Sequence, residues 1–176
     1  MVVVSTPPGR NVIIGYDVWH FFPGAETLYY AVRIMLELGL HESDKPLSAV
    51  ELTEYAEVSK AFLHKIVGDL VKAGLVVTYK GPAGGIVLAQ PPAEISMLDV
   101  LAAVDGPVCL NTCLLRPNEC PRDALCPAHL FWGRLQSIVM GELAKATLDK
   151  LVTQARALKE GREWPVSVSY VLEKSR

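Results

Sequence analysis

Three of the four cysteines of this 176-residue chain, Cys113, Cys120 and Cys126, fall in one turn-rich stretch, "CLLRPNECPRDALCPAH", that ends on His129. Six residues separate the first pair and five the second, and His129 follows Cys126 by three positions, the spacing at which two side chains share a helix face. Three thiols and an imidazole are thereby placed within reach of one centre. Thiolates bind zinc and iron–sulfur clusters, and imidazole suits both. Structural zinc sites favour tight pairs with two to four residues between the cysteines. The wider gaps here fit a chain wrapped around a cluster several ångströms across, with zinc and a thiol redox switch as the alternatives. Cys109, four residues upstream, reads as a spare ligand, a redox partner or a small hydrophobe at a helix end. Clustered cysteines in a reducing compartment are more often ligands or redox centres than disulfides.

Composition frames that loop. About half the residues are apolar, enough for one full core plus an extended arm. The longest apolar runs, such as Val2–Val4 and Leu75–Val77, fall far short of the roughly 20 residues of a bilayer span, and no signal-peptide pattern opens the chain, so it reads as cytoplasmic with no membrane partner. The net charge of −2 neither requires nor excludes nucleic acid. Its distribution is more telling. Between Ser59 and Lys80 stand Lys60, Lys65, Lys72 and Lys80 against Asp69 alone, while Glu51, Glu54 and Glu57 lie just upstream.

The elements that must carry these groups follow from period and capping. "AETLYYAVRIMLEL" places Leu28, Ala31, Val32, Met35 and Leu38 at helical spacing and predicts a helix from Ala25 to Leu38, ended by Gly39. Ser48 and Glu51 form a capping box opening a second helix that reaches Tyr55 or Ala56. Ser59 caps a third, "KAFLHKIVGDLVKAG", which buries Phe62, Leu63, Ile66, Val67 and Leu70 and stops at Gly74. Two short helices around a tight turn make a helix-turn-helix. "LVVTYK" and "IVLAQ", separated by "GPAGG", then read as a β-hairpin, and this order is that of a winged helix-turn-helix.

Ser96 caps a further helix, "MLDVLAAV", closed by Gly106-Pro107. Beyond Pro127 a long helical pattern reaches the stretch "RALKE", with Leu135, Val139 and Leu143 among its apolar positions; a helix of that length on so small a domain pairs with a copy of itself. The expected fold is mostly α with a small β wing: an N-terminal arm over 1–24, a winged helix-turn-helix domain over 25–106, a cluster-binding loop over 107–129, a dimerisation helix over 130–160 and a strand-like tail over 161–176.

Within that frame the residues near the start of the third helix, Ser59, Lys60, Ala61, His64 and Lys65, are placed to enter a major groove, and Lys80, Gly81, Gly84 and Gly85 to form a wing at the minor groove and phosphates. The glycine-rich tip matches no phosphate-loop pattern and opens into a strand, which argues against a nucleotide site. No nucleophile–base or acid–base constellation gathers near the histidines, so an enzyme is not expected.

The segments "YAVRIMLEL", "VSKAFLHKIVGDLVKAGLV", "KGPAGGIVLA" and "EISMLDVLAAVDG", followed by Cys-x6-Cys-x5-Cys-x2-His, resemble the iron–sulfur winged-helix regulators typified by IscR and NsrR, over roughly residues 25–155. That resemblance implies a transcription regulator that binds double-stranded DNA at a palindromic operator as a homodimer. It implies one [2Fe–2S] or [4Fe–4S] cluster per subunit as sensor of iron, redox state or nitric oxide, held in IscR-like members by residues matching Cys113, Cys120, Cys126 and His129. NsrR-like members take a carboxylate from the partner's first helix, and the matching position here is Tyr29. The first cysteine gap is one residue longer than in IscR, Lys80 stands for the usual wing arginine, and His64 stands for an acidic residue of the recognition helix, so a different operator sequence is expected.

Overall fold

The computed structural model describes residues 25–41, 45–116, 119–120, 122 and 125–161. The N-terminal arm and nearly all of the strand-like tail lie outside the described residues. Among the described residues, seven α-helices and one hairpin follow in the order α1 (Ala25–Leu40), α2 (Ala49–Tyr55), α3 (Lys60–Lys72), β1 (Val76–Tyr79), β2 (Gly85–Leu88), a 3-10 turn (Pro92–Glu94), α4 (Met97–Asp105), α5 (Thr112–Leu115), α6 (Pro127–Lys145) and α7 (Leu148–Lys159).

α2 starts where its capping box places it. The Glu51 backbone N–H donates to Ser48 Oγ at 3.2 Å, and the Ser48 N–H donates to the Glu51 carboxylate at 2.9 Å. These bonds hold the Glu51 carboxyl below its usual range. α3 is capped by Ser59, whose Oγ accepts from the Phe62 N–H at 3.3 Å, and Gly74 ends the segment at φ +72°. Leu63, Ile66, Val67 and Leu70 turn inward, whereas Phe62 is only half-buried, edge-on to Tyr30 at 5.5 Å between ring centroids. α4 carries a second box, Ser96 with Asp99, and Gly106 at φ +81° stops it. Ala31, Ile34, Met35 and Leu38 of α1 meet this inner face of α3, joined by Leu47, Leu52, Val76, Ile86 and Val100 in one core.

Two expectations are corrected. α1 does not stop at Gly39 but continues to Leu40, because Gly39 serves close packing instead: a Cβ there would stand 2.6 Å from Val152 Cγ2 of α7. The pattern expected as one helix over 130–160 resolves into two. At Ala146 the backbone leaves the helical region (ψ 81°), Met97 N–H donates to Ala146 O at 2.9 Å, and Leu148 N–H donates to Ile95 O at 2.8 Å. The segment before α4 thus captures the backbone at 146–148, Thr147 restarts a helix, and α7 returns to bury Leu148 and Val152 in the core formed with α1 to α4. α6 remains the long helix, and none of its residues is buried.

Candidate nucleic-acid interface and cysteine loop

Lys60, Ala61, His64 and Lys65 are all exposed at the start of α3, beside exposed Ser59. A carbonyl oxygen only accepts, so the 2.6 Å contact between His64 Nδ1 and Lys60 O makes Nδ1 the protonated nitrogen of the ring. The neutral imidazole then offers Nε2 as an acceptor. The Lys65 ammonium lies 5.6 Å from the centroid of the Phe62 ring, a cation–π contact that steadies a long side chain. Lys72, by contrast, is paired with Asp69 at 2.8 Å and closes the far end of the helix.

The turn between α2 and α3 contains a feature with no signal in the residue types. Glu57 sits at φ +50°, the left-handed region that favours glycine, and an ion pair with Arg33 of α1 at 2.9 Å anchors its side chain. Arg33 also donates to the Tyr29 hydroxyl at 2.9 Å.

In the hairpin, Val76, Val77, Thr78 and Tyr79 pair with Leu88, Val87, Ile86 and Gly85. Lys80 and Gly81 are exposed at the tip, Gly81 with φ +110°. Gly84 and Gly85 are half-buried, and each has an internal reason to lack a side chain. A Cβ on Gly84 would fall 2.2 Å from Tyr79 O, and one on Gly85 would fall 2.4 Å from Leu47 O, where residue 47 bridges to Ile86 and extends the hairpin by a third short edge.

Of the sulfur donors, Cys113 lies on α5 and Cys126 is the residue preceding α6, with Pro127 at the first helical position. The His129 N–H donates to Cys126 O at 3.1 Å, so these two residues share the first turn of α6. Cys113, Cys126 and His129 are half-buried, and Cys120 is exposed. The Cys109 thiol donates to Asn111 O at 3.0 Å. α5 packs on α6, bringing the two ends of the loop together, yet among the described residues no three His, Cys, Asp or Glu side chains converge on a single metal position. In kind, the donor set of three reduced thiols and one imidazole fits an iron–sulfur cluster. Leu125 and Leu130 are strongly exposed beside it, and Phe131 and Trp132 meet edge to face at 5.2 Å.

A residue missed by sequence reasoning fastens this loop to its neighbours. Gln136 of α6 accepts from the Leu110 N–H at 2.9 Å through Oε1 and donates through Nε2 to Val108 O, so both ends of one amide grip the strand of chain leading to Cys113. No motif marks such a glutamine in advance.

The family profile of Rrf2, an iron-dependent transcriptional regulator, matches residues 25–154. The HTH-type transcriptional regulator IscR of Photorhabdus laumondii is 32% identical over 129 residues, covering 73% of this chain and 78% of its own. IscR of Photobacterium profundum is 34% identical over 123 residues, covering 70% and 71%. Among solved structures, CymR, the global cysteine regulator of B. subtilis, superposes with a TM-score of 0.62 at 27% identity, covering 73% of this chain and 94% of that one. T. potens IscR shares the fold, with a TM-score of 0.57 at 23% identity over 83% and 93% of the two chains. These relatives are transcription regulators rather than enzymes, and the solved neighbours share the mostly helical winged-helix fold with its small two-stranded sheet. This chain accordingly belongs to the Rrf2 family of iron-dependent transcriptional regulators.

Proposed function

We propose that the protein is a homodimeric, sequence-specific regulator whose binding to a palindromic operator is controlled by an iron–sulfur cluster held by Cys113, Cys120, Cys126 and His129. The observation that carries this reading is the position of the cysteine loop. It leaves α4 at Gly106 and enters α6 at Cys126, α4 packs on both α3 and α6, and Gln136 holds the chain at 108–110 against α6. Any change in how the four donors are held is thus applied to the helix behind the recognition helix and to the long helix at once.

Each residue has a distinct task. Lys60, Lys65 and Lys80 supply charge to phosphates, Ser59 fixes the start of α3, and Ala61 leaves room for a base edge. His64, held by its Nδ1–H bond to Lys60 O, presents an acceptor suited to an exocyclic amino group of cytosine or adenine. Gly81 shapes the wing tip, with Gly84 and Gly85 closing the turn behind it. Leu130, Phe131 and Ile138, more than half exposed on a helix with no buried residue, are the apolar surface that a second copy would cover. Cys113, Cys120, Cys126 and His129 would bind and orient the cluster, which supplies when bound a centre responsive to oxidants, nitric oxide or iron supply.

A second reading is supported by the gathering of cysteines in one loop and by the likeness to CymR: the loop would act as a thiol switch or hold zinc, without a cluster. The anaerobic absorption spectrum, with iron and sulfide analysis of the same preparation, separates the two. Visible charge-transfer bands with stoichiometric iron support the cluster; a colourless protein rich in zinc or free of metal supports the alternative.

A further inference from the structure

Glycine is among the poorest residues for a helix interior, yet Gly68 stands in the middle of α3. Nothing inside the protomer calls for it. A Cβ there would meet no atom within 4 Å, and its backbone is not in the left-handed region that only glycine tolerates. Gly68 does line a groove of about 540 Å³ between α3 and the hairpin. His64, Gly68 and Val71 follow one another at helical spacing along one wall, and Thr78, Tyr79 and Gly81 form the other. Its lining reaches the wing tip at Gly81 and Gly84 and the start of α2 at Ser48 and Ala49. Exposed Lys60 and Lys80 stand beside the groove in the chain, one turn before His64 and next to Tyr79, and the groove's own side chains offer hydroxyls and an imidazole over apolar Leu63, Val67, Val71 and Ile86.

We propose that this groove seats one strand of the DNA sugar–phosphate backbone, and that Gly68 is the point of closest approach between that strand and the recognition helix. The inference rests on the reading of α3 and the hairpin as the DNA-binding face, and it adds the path of the strand between them. Thr78 and Tyr79, both exposed, donate their hydroxyls to phosphate oxygens along that path. A side chain at position 68 holds the strand away from the helix, so the missing side chain has its use in the complex and its cost in the free protein. A backbone interaction of this kind is blind to sequence, and weakening it therefore weakens all duplexes alike.

The test compares wild type with Gly68→Ala on two duplexes of equal length: one enriched from a random library by the wild-type protein, the other unrelated. Expected is a Tm above that of wild type, since alanine is the better helix former and meets no atom. The affinity should at the same time fall about tenfold, by the same factor for both duplexes. Unchanged affinity would overturn the proposal, as would a lowered Tm, which would mean that the site is not open. A fall confined to the enriched duplex would place a base edge in the groove and overturn it too. If the wild-type protein enriches no duplex, the DNA-face reading falls and takes this one with it, whereas unchanged affinity of Gly68→Ala beside a selective wild type removes this one alone.

Discussion

Replacing Gly39 by alanine puts a methyl group where α1 and α7 cross, 2.6 Å from Val152 Cγ2. Carbon atoms prefer separations of about 3.5–4.0 Å, so either helix must give by about 1 Å. Val152 has no easy escape: it is buried, and a β-branched residue in a helix has essentially one χ1 rotamer. Overpacking of this kind costs ~1–3 kcal/mol. Against it stands the gain of ~1 kcal/mol when alanine replaces glycine inside a helix. The balance is a net loss of about 1 kcal/mol, read as a fall of about 4 °C in Tm at fixed protein concentration. A double-mutant cycle isolates the contact. In a Val152→Ala background the clash is gone, so Gly39→Ala should there stabilise by about the full propensity term, giving a coupling of ~1–3 kcal/mol. Urea denaturation followed by circular dichroism supplies all four values. If Gly39→Ala stabilises the wild-type background as much as the Val152→Ala background, α1 and α7 do not touch as described.

Glu57→Gly relieves a left-handed residue worth ~1–2 kcal/mol and gives up an ion pair whose carboxylate is largely exposed, worth ~0–1 kcal/mol. The variant should therefore match or exceed wild type in denaturation, and a loss above about 1 kcal/mol would mean that Arg33 holds the turn. Lys65→Ala and Lys80→Ala should each lower the slope of log affinity against log salt by about 0.9 for every phosphate the lysine neutralises, or twice that in a dimer, with little change in sequence preference. His64→Ala should do the reverse, relaxing one position of the selected site by ~1–3 kcal/mol of discrimination, and an unchanged site would end its base-reading role. Ile138→Lys places a charge on a side chain that is 62% exposed in the protomer, where it costs little, so a shift from dimer to folded monomer in sedimentation would report the seam itself. A variant as dimeric as wild type would move the seam elsewhere.

Much of this architecture was legible because the cues were local. Ser48 with Glu51, Ser59 before an apolar stripe, Gly74 and the glycine-rich hairpin tip each fix one boundary through bonds within four residues. What escaped depends on distant partners. The break at Ala146 comes from pairing of 146–148 with residues 95–97, some fifty positions away, and a helical period runs through it undisturbed. Gly39 looks like a helix stop unless Val152 is known to lie across from it. Glu57 carries no turn preference; its backbone is held by the bonds that close α2, Val58 N–H to Thr53 O and Glu57 N–H to Glu54 O, together with the Arg33 pair. For the cysteine loop, residue type and spacing named a donor set, but the amide grip of Gln136 joins residues more than twenty-five positions apart, beyond the reach of any spacing rule.

The central claim is that the donors in the cysteine loop control reading of DNA by α3 and the wing. Its most direct test is the operator affinity of one anaerobic preparation, measured by fluorescence anisotropy before and after the cluster is removed, for wild type and for Cys120→Ala. The account predicts a change of at least about tenfold, or 1.4 kcal/mol, for wild type and none for Cys120→Ala. Equal affinities for wild type with and without its cluster would contradict it.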